Sequence, residues 1–417
     1  MTVWKSACIH LLLMPDPRFK NGPLADLRVL ELGTLLAGPF CGQLLGDFGA
    51  EIIKIEPPGQ GDPLRVWGRQ EEGEASLWWP VVARNKKAIT LDLRQPEGQA
   101  VLKELVAKAD FLLENFRPGT LEKWGLGWAE LAAVNPRLIM IRVSGFGQTG
   151  PRARDPGFGA IGEAMGGLRY VVGDPSTPPS RMGISLGDSL AATFACVGAL
   201  SALHYREQTG RGQVVDSAIY EAVLNMMESL ITDYDKRGFI RERTGAILPN
   251  IAPSNIYPTR DGLVLIAANQ DTVFKRLCMA MGVAELATDA RYSTHQARGA
   301  NQRELDERIG AWSSGLTTTE VLDILQQPES AVPSGLIYRA PDMLKDPHFK
   351  AREAIVTTQH PRFGALQMQN VAPKLSATPG SIRSPAPELG QHNDAVYLEL
   401  LGMGADRYAQ LKKQGVI

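Results

Sequence analysis

Hydrophobic residues in the first third of the chain form short continuous runs, separated by segments in which they recur with helical spacing. The runs of strand length are LRVLELG (27–33), EIIKIE (51–56), KAITLDL (87–93), FLLENF (111–116) and LIMIRVSGFG (138–147). Helical spacing is found over 37–50 and 96–109 and in a segment that ends near Val134. Strands that alternate with helices predict an α/β fold with a Rossmann-like, doubly wound parallel sheet.

The pattern changes beyond residue 231. The segment YPTRDGLVLIAANQ (257–270) predicts a β-hairpin, and the chain after about residue 335 is Pro-rich and extended until a last helix begins at Asp394. Short helices are predicted at Phe274–Met281, Val283–Ala287, Gln302–Trp312 and Thr318–Gln326. A chain of 417 residues exceeds the usual size of one core, so we expect a smaller α+β domain over 240–335.

The longest helix candidate carries no charged residue from Leu190 to Leu203, and its apolar positions surround the helix axis. We therefore expect it to be buried on most faces. Asp188 is the acid at its start. One interpretation is an N-cap, because an aspartate there can accept hydrogen bonds from the free amides of the first turn. The other is chemical, because the helix dipole keeps a carboxylate ionised and Gly187 lets a ligand approach the backbone.

The overall charge excludes some classes of partner. Lysine plus arginine total 44 and aspartate plus glutamate 45, a net charge of −1. This balance provides no global field that would attract nucleic acid or an anionic membrane, so an anionic ligand must meet a local basic cluster. No segment has the ~18 consecutive uncharged apolar residues of a membrane span. Residues 1–23 have the features of an N-terminal extension rather than of a signal peptide.

Cysteine and histidine are too scattered to form a disulfide framework or a metal site. The cysteines are Cys8, Cys41, Cys196 and Cys278. They show no pairing pattern, and the six histidines show no metal-ligand spacing. Free thiols of this kind are typical of a reducing compartment, so we expect a cytoplasmic protein without a bound metal.

A nicotinamide dehydrogenase is one alternative that the first strands raise. Glu56 ends the second predicted strand, where an acid that binds a ribose would stand. However, the turn after the first strand, ELGTLLAGPFCGQLLG, contains no G-x-G-x-x-G motif, so the phosphate-binding turn of such an enzyme is missing. Glu56 is then interpreted as a charge at the end of a strand.

Cations gather in ARNKKAITLDLR (83–94) and LENFRPGTLEKWG (113–125). They are Arg84, Lys86, Lys87, Arg94, Arg117 and Lys123. The commoner interpretation of such a run is a solvated edge. The carboxyl ends of parallel strands are also where open α/β sheets bind ligands, and several cations beside one crevice suit a polyphosphate.

Eight segments in a fixed order give the chain a specific resemblance. They are LADLRVLELGTLLAGPF, GDFGAEIIKIEPPGQGD, RNKKAITLDLRQPEG, LLENFRPGTLEKWGLG, SGFGQTGP, MGISLGD, REQTGRGQVVD and PELGQH. Together they resemble the class III CoA-transferase family, with formyl-CoA transferase and carnitine CoA-transferase among its members. The resemblance implies an interlaced homodimer. Each chain would have a large α/β domain built from both chain ends, over 24–225 and 340–417, with the small domain between.

The resemblance also implies a reaction and the residues that perform it. The aspartate of the family's segment that matches GISLGDS is the nucleophile and corresponds to Asp188, and a backbone amide at Ala37 faces the acyl group. Coenzyme A is then a substrate and not a resident cofactor. The reaction would pass through an aspartyl anhydride and an aspartyl-CoA thioester. The implied contacts to CoA are Leu91, Arg94, Asn115, Phe116 and Lys123.

Departures from the family pattern narrow the range of expected substrates. Formyl-CoA transferase has glutamine and arginine where this chain has Leu36 and Pro57, and a glycine-run loop where this chain has ILPNIAPSN (247–255). These differences weigh against formate or oxalate. The 2-methylacyl-CoA racemases share the fold and the aspartate, but they use a histidine where this chain has Phe158, so racemisation is not expected. A third alternative is a CoA-binding protein without activity.

Arginines in three segments favour an acceptor with two carboxylates. They are Arg65, Arg152, Arg154 and Arg181 in GDPLRVWG, GPRARDPG and SRMGISLGD. Because an arginine can hold a second carboxylate bidentately, a dicarboxylate gains a contact that a monocarboxylate lacks. The alternative is that these arginines serve the fold, CoA or solvated loops. Similarity to succinyl-CoA:dicarboxylate members, which share LAGPF, RNKK and GQTGP, favours succinyl-CoA as donor and a dicarboxylate as acceptor.

Overall fold

The computed structural model of the protein describes residues 21–68, 71 and 74–417. The N-terminal extension expected over residues 1–23 lies almost entirely outside the described residues. The chain forms two compact units. The large unit contains the described residues up to Leu168 together with 183–228 and 351–417, and the small unit contains 169–182 and 229–350.

The large unit is built on a six-stranded sheet. Its strands are β1 (Arg28–Glu31), β2 (Glu51–Glu56), β3 (Lys86–Thr90), β4 (Phe111–Glu114), β5 (Ile139–Ser144) and β6 (Val214–Ala218). The spatial order is β3-β2-β1-β4-β5-β6, and each neighbouring pair is parallel. The order reverses between β1 and β4, which confirms the predicted doubly wound α/β fold. The five predicted strands are present, whereas β6 was not predicted.

Helices flank this sheet. Those of the large unit up to Asn225 are α1 (Ala37–Asp47), α2 (Trp78–Val82), α3 (Pro96–Val106), α4 (Thr120–Lys123), α5 (Trp128–Val134), α6 (Gly159–Met165), α8 (Leu186–Thr209) and α9 (Ile219–Asn225), with a 3₁₀ turn at Pro63–Arg65. Helix α7 (Leu168–Val171) lies almost entirely in the small unit. Strand residues in the sheet centre are buried whichever face they point to, as expected when helices cover both faces. Helices α6 and α7 occupy a glycine- and proline-rich segment in which only a loop was expected.

The small unit has its own core around a three-stranded antiparallel sheet. Its strands are β7 (Ser254–Pro258), β8 (Leu263–Ala267) and β9 (Ser334–Leu336), in the order β7-β8-β9. The helices between residues 230 and 351 are α10 (Leu230–Arg237), α11 (Asp271–Ala280), a 3₁₀ turn (Ala284–Ala287), α12 (His295–Ala300), α13 (Gln302–Ser314), α14 (Thr318–Leu325), α15 (Ala340–Lys345) and α16 (Pro347–Ala351). The predicted hairpin and the four predicted helices are confirmed.

The C-terminal part of the chain returns to the large unit. It contains the hairpin of β10 (Ile355–His360) and β11 (Gly364–Gln369), a π-helical turn (Ala395–Leu400) and α17 (Ala405–Lys413). The hairpin was not predicted, and the single helix expected from Asp394 is two separate helical segments. Tyr397, Leu411 and Val416 belong to the same buried cluster as the strand residues Leu30 and Leu112. The core of the large unit is therefore built from both chain ends.

The same segment covers the outer edge of β3. The backbone N–H of His392 donates to the carbonyl of Ala88 at 2.9 Å, and the N–H of Thr90 donates to Asn393 Oδ1 at 2.9 Å. The hydroxyl of the fully buried Tyr397 donates to the carbonyl of Thr90 at 2.6 Å. An edge strand that would otherwise present free polar groups is thus paired within the chain.

The expectation that the uncharged helix is buried on most faces is wrong. One face of α8, which includes Ala195 and Ala199, is buried and packs on α1, β5 and β6. The opposite face leaves Phe194, Val197 and Leu200 exposed by 36%, 57% and 42%. Small residues thus let α8 lie close to the sheet, while the larger apolar residues point away from it. By length and composition alone, α8 is also the one described helix that could cross a membrane.

Candidate active site

A crevice opens in the large unit at the carboxyl ends of β1, β2, β3 and β4, where the strand order reverses. In an open α/β sheet this is the expected position of a ligand. Its walls come from the loops that follow these strands. The lining includes Leu32 and Thr34 after β1, Pro57 and Asp62 after β2, Leu91–Arg94 after β3, and Phe116 and Trp124 after β4.

Three of the residues expected to contact CoA line this crevice, namely Leu91, Arg94 and Phe116. The side chain of Arg94 is 68% exposed, and its Nε donates to Asp92 Oδ1 at 2.8 Å. The hydrogen bonds from Arg94 lower the pKa of Asp92 to about 2, so both groups are charged near neutral pH. The crevice therefore combines apolar walls with an exposed, oriented guanidinium.

The other two expected CoA contacts lie beside the lining residues. Asn115 Oδ1 accepts from the backbone N–H of Thr34 at 2.7 Å, and its Nδ2 donates to the carbonyl of Thr34 at 2.9 Å. Asn115 thus ties the loop after β4 to the loop after β1 at the point where the strand order reverses. Lys123 is exposed at the end of α4, one residue before the lining residue Trp124.

Three other cations of the basic cluster, Arg84, Lys86 and Lys87, do not converge on the crevice. Arg84 and Lys86 are buried in ion pairs with Asp47 and Glu31, at 2.6 and 2.8 Å. Lys87 forms an ion pair at 2.5 Å with the glutamate that begins β2. Successive strand residues point to opposite faces, so the adjacent Lys86 and Lys87 cannot serve one polyphosphate. The interpretation of these residues as one anion-binding cluster is corrected accordingly.

The carboxylate that ends β2 belongs to a buried ion pair. Glu56 accepts two hydrogen bonds of 2.7 Å from Nε and Nη2 of Arg65. The third nitrogen of Arg65 donates to the carbonyl of Pro387 at 3.1 Å, and the guanidinium lies 3.8 Å from the ring centroid of Trp79. Glu56 is therefore not a solvated charge at a strand end, and Arg65 bonds to the fold through each of its nitrogens.

The turn from β1 into α1 ends at Ala37, the first residue of the helix. Lys54 Nζ donates to the carbonyl of Gly33, and Asp62 Oδ1 accepts from the N–H of Leu35 at 3.0 Å. Leu35 has a φ of 62°, in the left-handed region that non-glycine residues rarely adopt. The first amides of a helix have no acceptor within it, so the N–H of Ala37 is suited to bind an oxyanion.

Asp188 is not an N-cap, and this interpretation is corrected. Helix α8 begins at Leu186, the N-cap position is occupied by Ser185, and Asp188 lies in the first turn. An acid in this turn is favoured in its ionised form by the positive end of the helix dipole. The chemical interpretation of Asp188 thus keeps its physical basis, whereas the capping interpretation does not.

Helix α6 forms the immediate surroundings of Asp188. A Cβ atom added at Gly159 would lie 2.4 Å from Asp188 Oδ2, so a side chain at this position would displace the carboxylate. The buried Glu163, one turn further along α6, accepts from the backbone N–H of Gly187 at 3.1 Å. Phe158 immediately precedes Gly159 and is 71% exposed. The Asp188 carboxylate therefore lies against bare backbone, with an exposed aromatic side chain next to that backbone in sequence.

The arginines expected to hold the acceptor lie in different segments of the chain. Arg152 and Arg154 lie in an exposed turn of the large unit. Arg181 is exposed and belongs to the small unit. Arg65 is bound to Glu56 as described above. Neither unit by itself contains all four of these arginines.

Four residues near these features were not found from the sequence. They are Lys54, Asp62, Gly159 and Glu163. Lys54 did carry a signal, because a lysine inside the apolar run EIIKIE is buried only if it is paired. The others carried none, since each matters through a contact with a residue that is distant in sequence.

Comparison with known proteins identifies the family. The chain matches CoA-transferase family III over residues 24–393. It is 61% identical over 396 residues to succinyl-CoA–D-citramalate CoA-transferase of Chloroflexus aurantiacus, across 95% of this chain and 98% of the relative. It is 44% identical to the succinyl-CoA–L-malate CoA-transferase beta subunit of the same organism, across 95% and 98%. A crystal structure of a CAIB/BAIF family protein from Brucella suis shares 34% identity and a TM-score of 0.81, across 91% of this chain and 100% of that chain. The resemblance seen in the eight segments is thereby confirmed, and the chain belongs to CoA-transferase family III.

Proposed function

We propose that the protein transfers CoA from succinyl-CoA to a dicarboxylic acid, with Asp188 as the nucleophile. The observation that carries the proposal is that the Asp188 carboxylate lies in the first turn of α8 against the backbone of Gly159. The helix dipole favours the ionised carboxylate there, and the missing side chain of Gly159 leaves room for that carboxylate beside the backbone of α6. The names of the two relatives support this choice of substrates, because each name contains succinyl-CoA and a dicarboxylic acid.

The proposed reaction conserves the energy of the thioester by exchanging acyl groups on Asp188. The carboxylate attacks the succinyl thioester carbonyl, the C–S bond breaks, and a mixed anhydride and CoA thiolate form. The thiolate then attacks the Asp188 carbonyl, which releases succinate and leaves an aspartyl-CoA thioester. The acceptor carboxylate attacks that thioester to form a second anhydride and free thiolate. Attack of the thiolate on the acceptor acyl carbon gives the new acyl-CoA and returns Asp188 as a carboxylate.

Each of these steps develops an oxyanion, and each requires CoA to be held in place. The first-turn amide of Ala37 is the proposed oxyanion donor, because donors in fixed positions stabilise such charge most effectively. CoA is proposed to occupy the crevice along Leu91 and Phe116, with Asn115 beside it. Arg94 and Lys123 would serve the phosphates as exposed cations.

The second carboxylate of the acceptor requires a cation. Arg152, Arg154 and Arg181 stay candidates because their side chains are exposed. Arg65 is not carried forward, since its three nitrogens already bond to Glu56 and Pro387. A dicarboxylate such as citramalate or glutarate is expected to be used in preference to butyrate, because a monocarboxylate cannot make this contact.

A homodimer is also part of this proposal. The exposed face of α8 carries Phe194, Val197 and Leu200, and a run of large apolar residues of this kind is typical of a surface covered by a partner. The name of the malate relative specifies a subunit, which supports assembly within the family. A second copy of the chain is the proposed occupant.

The test compares Asp188→Ala with Asp406→Ala. Asp406 is an exposed acid in the first turn of α17, so its loss also removes a favourable helix-dipole interaction, but at a distant site. We expect Asp188→Ala to reduce kcat for CoA transfer from succinyl-CoA to citramalate by at least about 10⁴-fold, and Asp406→Ala to leave it unchanged. Mass spectrometry of the wild type with succinyl-CoA should detect an adduct on Asp188 that hydroxylamine discharges.

Three outcomes would contradict the proposal. Normal turnover of Asp188→Ala would exclude the nucleophile. Deuterium uptake at the α-carbon of a 2-methylacyl-CoA in heavy water would favour a racemase, although Phe158 offers no group that moves a proton. Tight CoA binding without transfer to any acid in a donor–acceptor matrix would favour a binding protein.

A further inference from the structure

The turn before Ala37 has four consecutive backbone polar groups that are each bonded to a side chain from another part of the chain. These bonds are Lys54 Nζ to Gly33 O, Thr34 N to Asn115 Oδ1 at 2.7 Å, Asn115 Nδ2 to Thr34 O at 2.9 Å and Leu35 N to Asp62 Oδ1 at 3.0 Å. In a surface turn, most backbone polar groups would normally form hydrogen bonds with water. Here the conformation is determined from three directions, by β2, by the loop after it and by the loop after β4.

The charges behind this turn are buried and mutually compensated. Lys54 pairs with Asp62 at 2.6 Å and with Glu31 at 3.4 Å, and Lys54 and Asp62 are each 1% exposed. Burial lowers the pKa of Lys54, but the attraction of the surrounding carboxylates outweighs it and the net shift is upward. Burial raises the pKa of Asp62, but Lys54 and two backbone N–H groups bring it below its ordinary value. Both groups are therefore ionised when they hold the turn.

The turn also contains the strained residue Leu35, at a φ of 62°. A residue keeps such an unfavourable backbone conformation only where several surrounding contacts hold it there. Residues of this kind are common at functional sites. Two residues later the chain enters α1 at Ala37. The direction of the Ala37 amide thus depends on a conformation that Leu35 would not adopt by itself.

We propose that Lys54 and Asp62 are positioning residues that hold the Gly33–Leu36 turn so that the amide of Ala37 points at the reacting carbonyl. The inference rests on the proposed function, in which that amide binds the oxyanion. Neither side chain needs to touch the acyl group, because each acts through the backbone of the turn. A donor that is misplaced by about 1 Å loses much of its effect on the transition state, commonly about 10²-fold in rate.

The chain offers a matched control at the opposite end of the same sheet. Asp110 accepts from the backbone N–H of Arg28 at 2.8 Å and pairs with the buried Arg206 at 2.9 Å. It thus combines the same two roles as Asp62, an acceptor for a backbone amide and the partner of a buried cation. Asp110 precedes β4, so it lies away from the carboxyl ends of the strands and from the crevice.

The experiment compares the double variants Lys54→Met/Asp62→Leu and Arg206→Met/Asp110→Leu. Removing both partners avoids an uncompensated buried charge, which is the main reason such variants fail to fold. In the first double variant we expect amide hydrogen exchange in residues 34–38 to rise at least about tenfold. We expect kcat to fall about tenfold to hundredfold, and the dissociation constant for CoA, whose crevice Lys54 and Asp62 also line, to change by a smaller factor. The control variant, Arg206→Met/Asp110→Leu, should show the same amide hydrogen exchange in residues 34–38 and the same kcat as the wild type.

If the first double variant does not fold, Asp62→Asn replaces it, because it keeps the acceptor for Leu35 and removes only the charge. A smaller rise in exchange and a loss of kcat of up to about tenfold are then expected. Unchanged exchange at 34–38 would exclude the restraint itself. Raised exchange with normal kcat, or a change confined to CoA affinity, would exclude a positioning role. A wild type without CoA transfer would contradict the proposed function, while hydrogen exchange would still decide whether the turn is held.

Discussion

The surroundings of the two edge strands of the parallel sheet differ. At β3 the C-terminal segment bonds to Ala88 and Thr90, and Tyr397 is fully buried in the core. At β6 the outer strand lies beside α8, whose apolar residues Val197 and Leu200 remain exposed. One edge is therefore closed by the chain itself, whereas near the other edge the helix that packs on β5 and β6 leaves an apolar surface that suits a partner.

This difference separates stability within one chain from association between chains. A contact at the β3 edge is intramolecular, so its loss should lower the free energy of unfolding at any protein concentration. A contact on α8 would be made only in the dimer, so its loss should act through the oligomeric state and depend on protein concentration. Three sets of variants test the comparison.

The largest effect is expected at the closed edge. Tyr397→Ala removes a buried aromatic ring and its hydrogen bond to Thr90, so the free energy of unfolding should fall by about 3–5 kcal/mol. Tyr397→Phe keeps the ring and should cost about 1 kcal/mol, the usual net value of a hydrogen bond. Urea denaturation measures both. A loss below about 1 kcal/mol for the alanine variant would contradict the assignment of this residue to the core.

A smaller effect is expected on α8. Leu200→Glu or Val197→Glu would place a charge in the proposed dimer contact and raise the dissociation constant at least about hundredfold, or about 2.7 kcal/mol. Light scattering should then report the mass of one 45.3-kDa chain. Val134→Glu, at an exposed apolar position on α5, is the control and should not change the mass. A wild type that is monomeric at micromolar concentration would refute the homodimer.

The smallest effect is a dependence of the closed edge on pH. His392 Nδ1 accepts from the backbone N–H of Ala88 at 3.1 Å, and burial, together with the nearby Lys87, lowers the pKa of this histidine. Below its ordinary pKa of about 6.5, the unfolded chain binds a proton that the folded chain resists. The stabilising contribution of the neutral imidazole is therefore present above about pH 6.5 and is lost as the pH falls.

The corresponding measurement is the free energy of unfolding at pH 7.5 and at pH 5.5. The wild type should lose up to about 1 kcal/mol more than His392→Gln over this interval. His348→Gln, at an exposed position, should behave like the wild type. An identical pH response of wild type and His392→Gln would show that this hydrogen bond does not couple the edge to protonation.

The sequence predicted the parts of the site that depend on local order along the chain. Leu91, Arg94 and Phe116 were expected to contact CoA from the family resemblance, which rests on ordered motifs in the sequence. In the structure they line one crevice, because the carboxyl ends of parallel strands meet at one edge of the sheet. The basic run at 83–94 was interpreted less well. Its members are adjacent in sequence but point to different faces, and burial assigns Arg84 and Lys86 to separate ion pairs.

The amino-acid sequence by itself determined the five strands of the large unit that it predicted, the hairpin of the small unit and the family, because apolar runs and ordered motifs are local properties. Only the tertiary structure decided which face of α8 is buried, since hydropathy does not distinguish an alanine packed on a sheet from a leucine that points away from it. It also decided that VVDSA is a strand, because this short segment is held by pairing with β5 rather than by its own composition. Likewise, Lys54 and Asp62 acquire their role from a turn that lies far from them along the chain. Such contacts depend on strand order and register, which the local pattern does not contain.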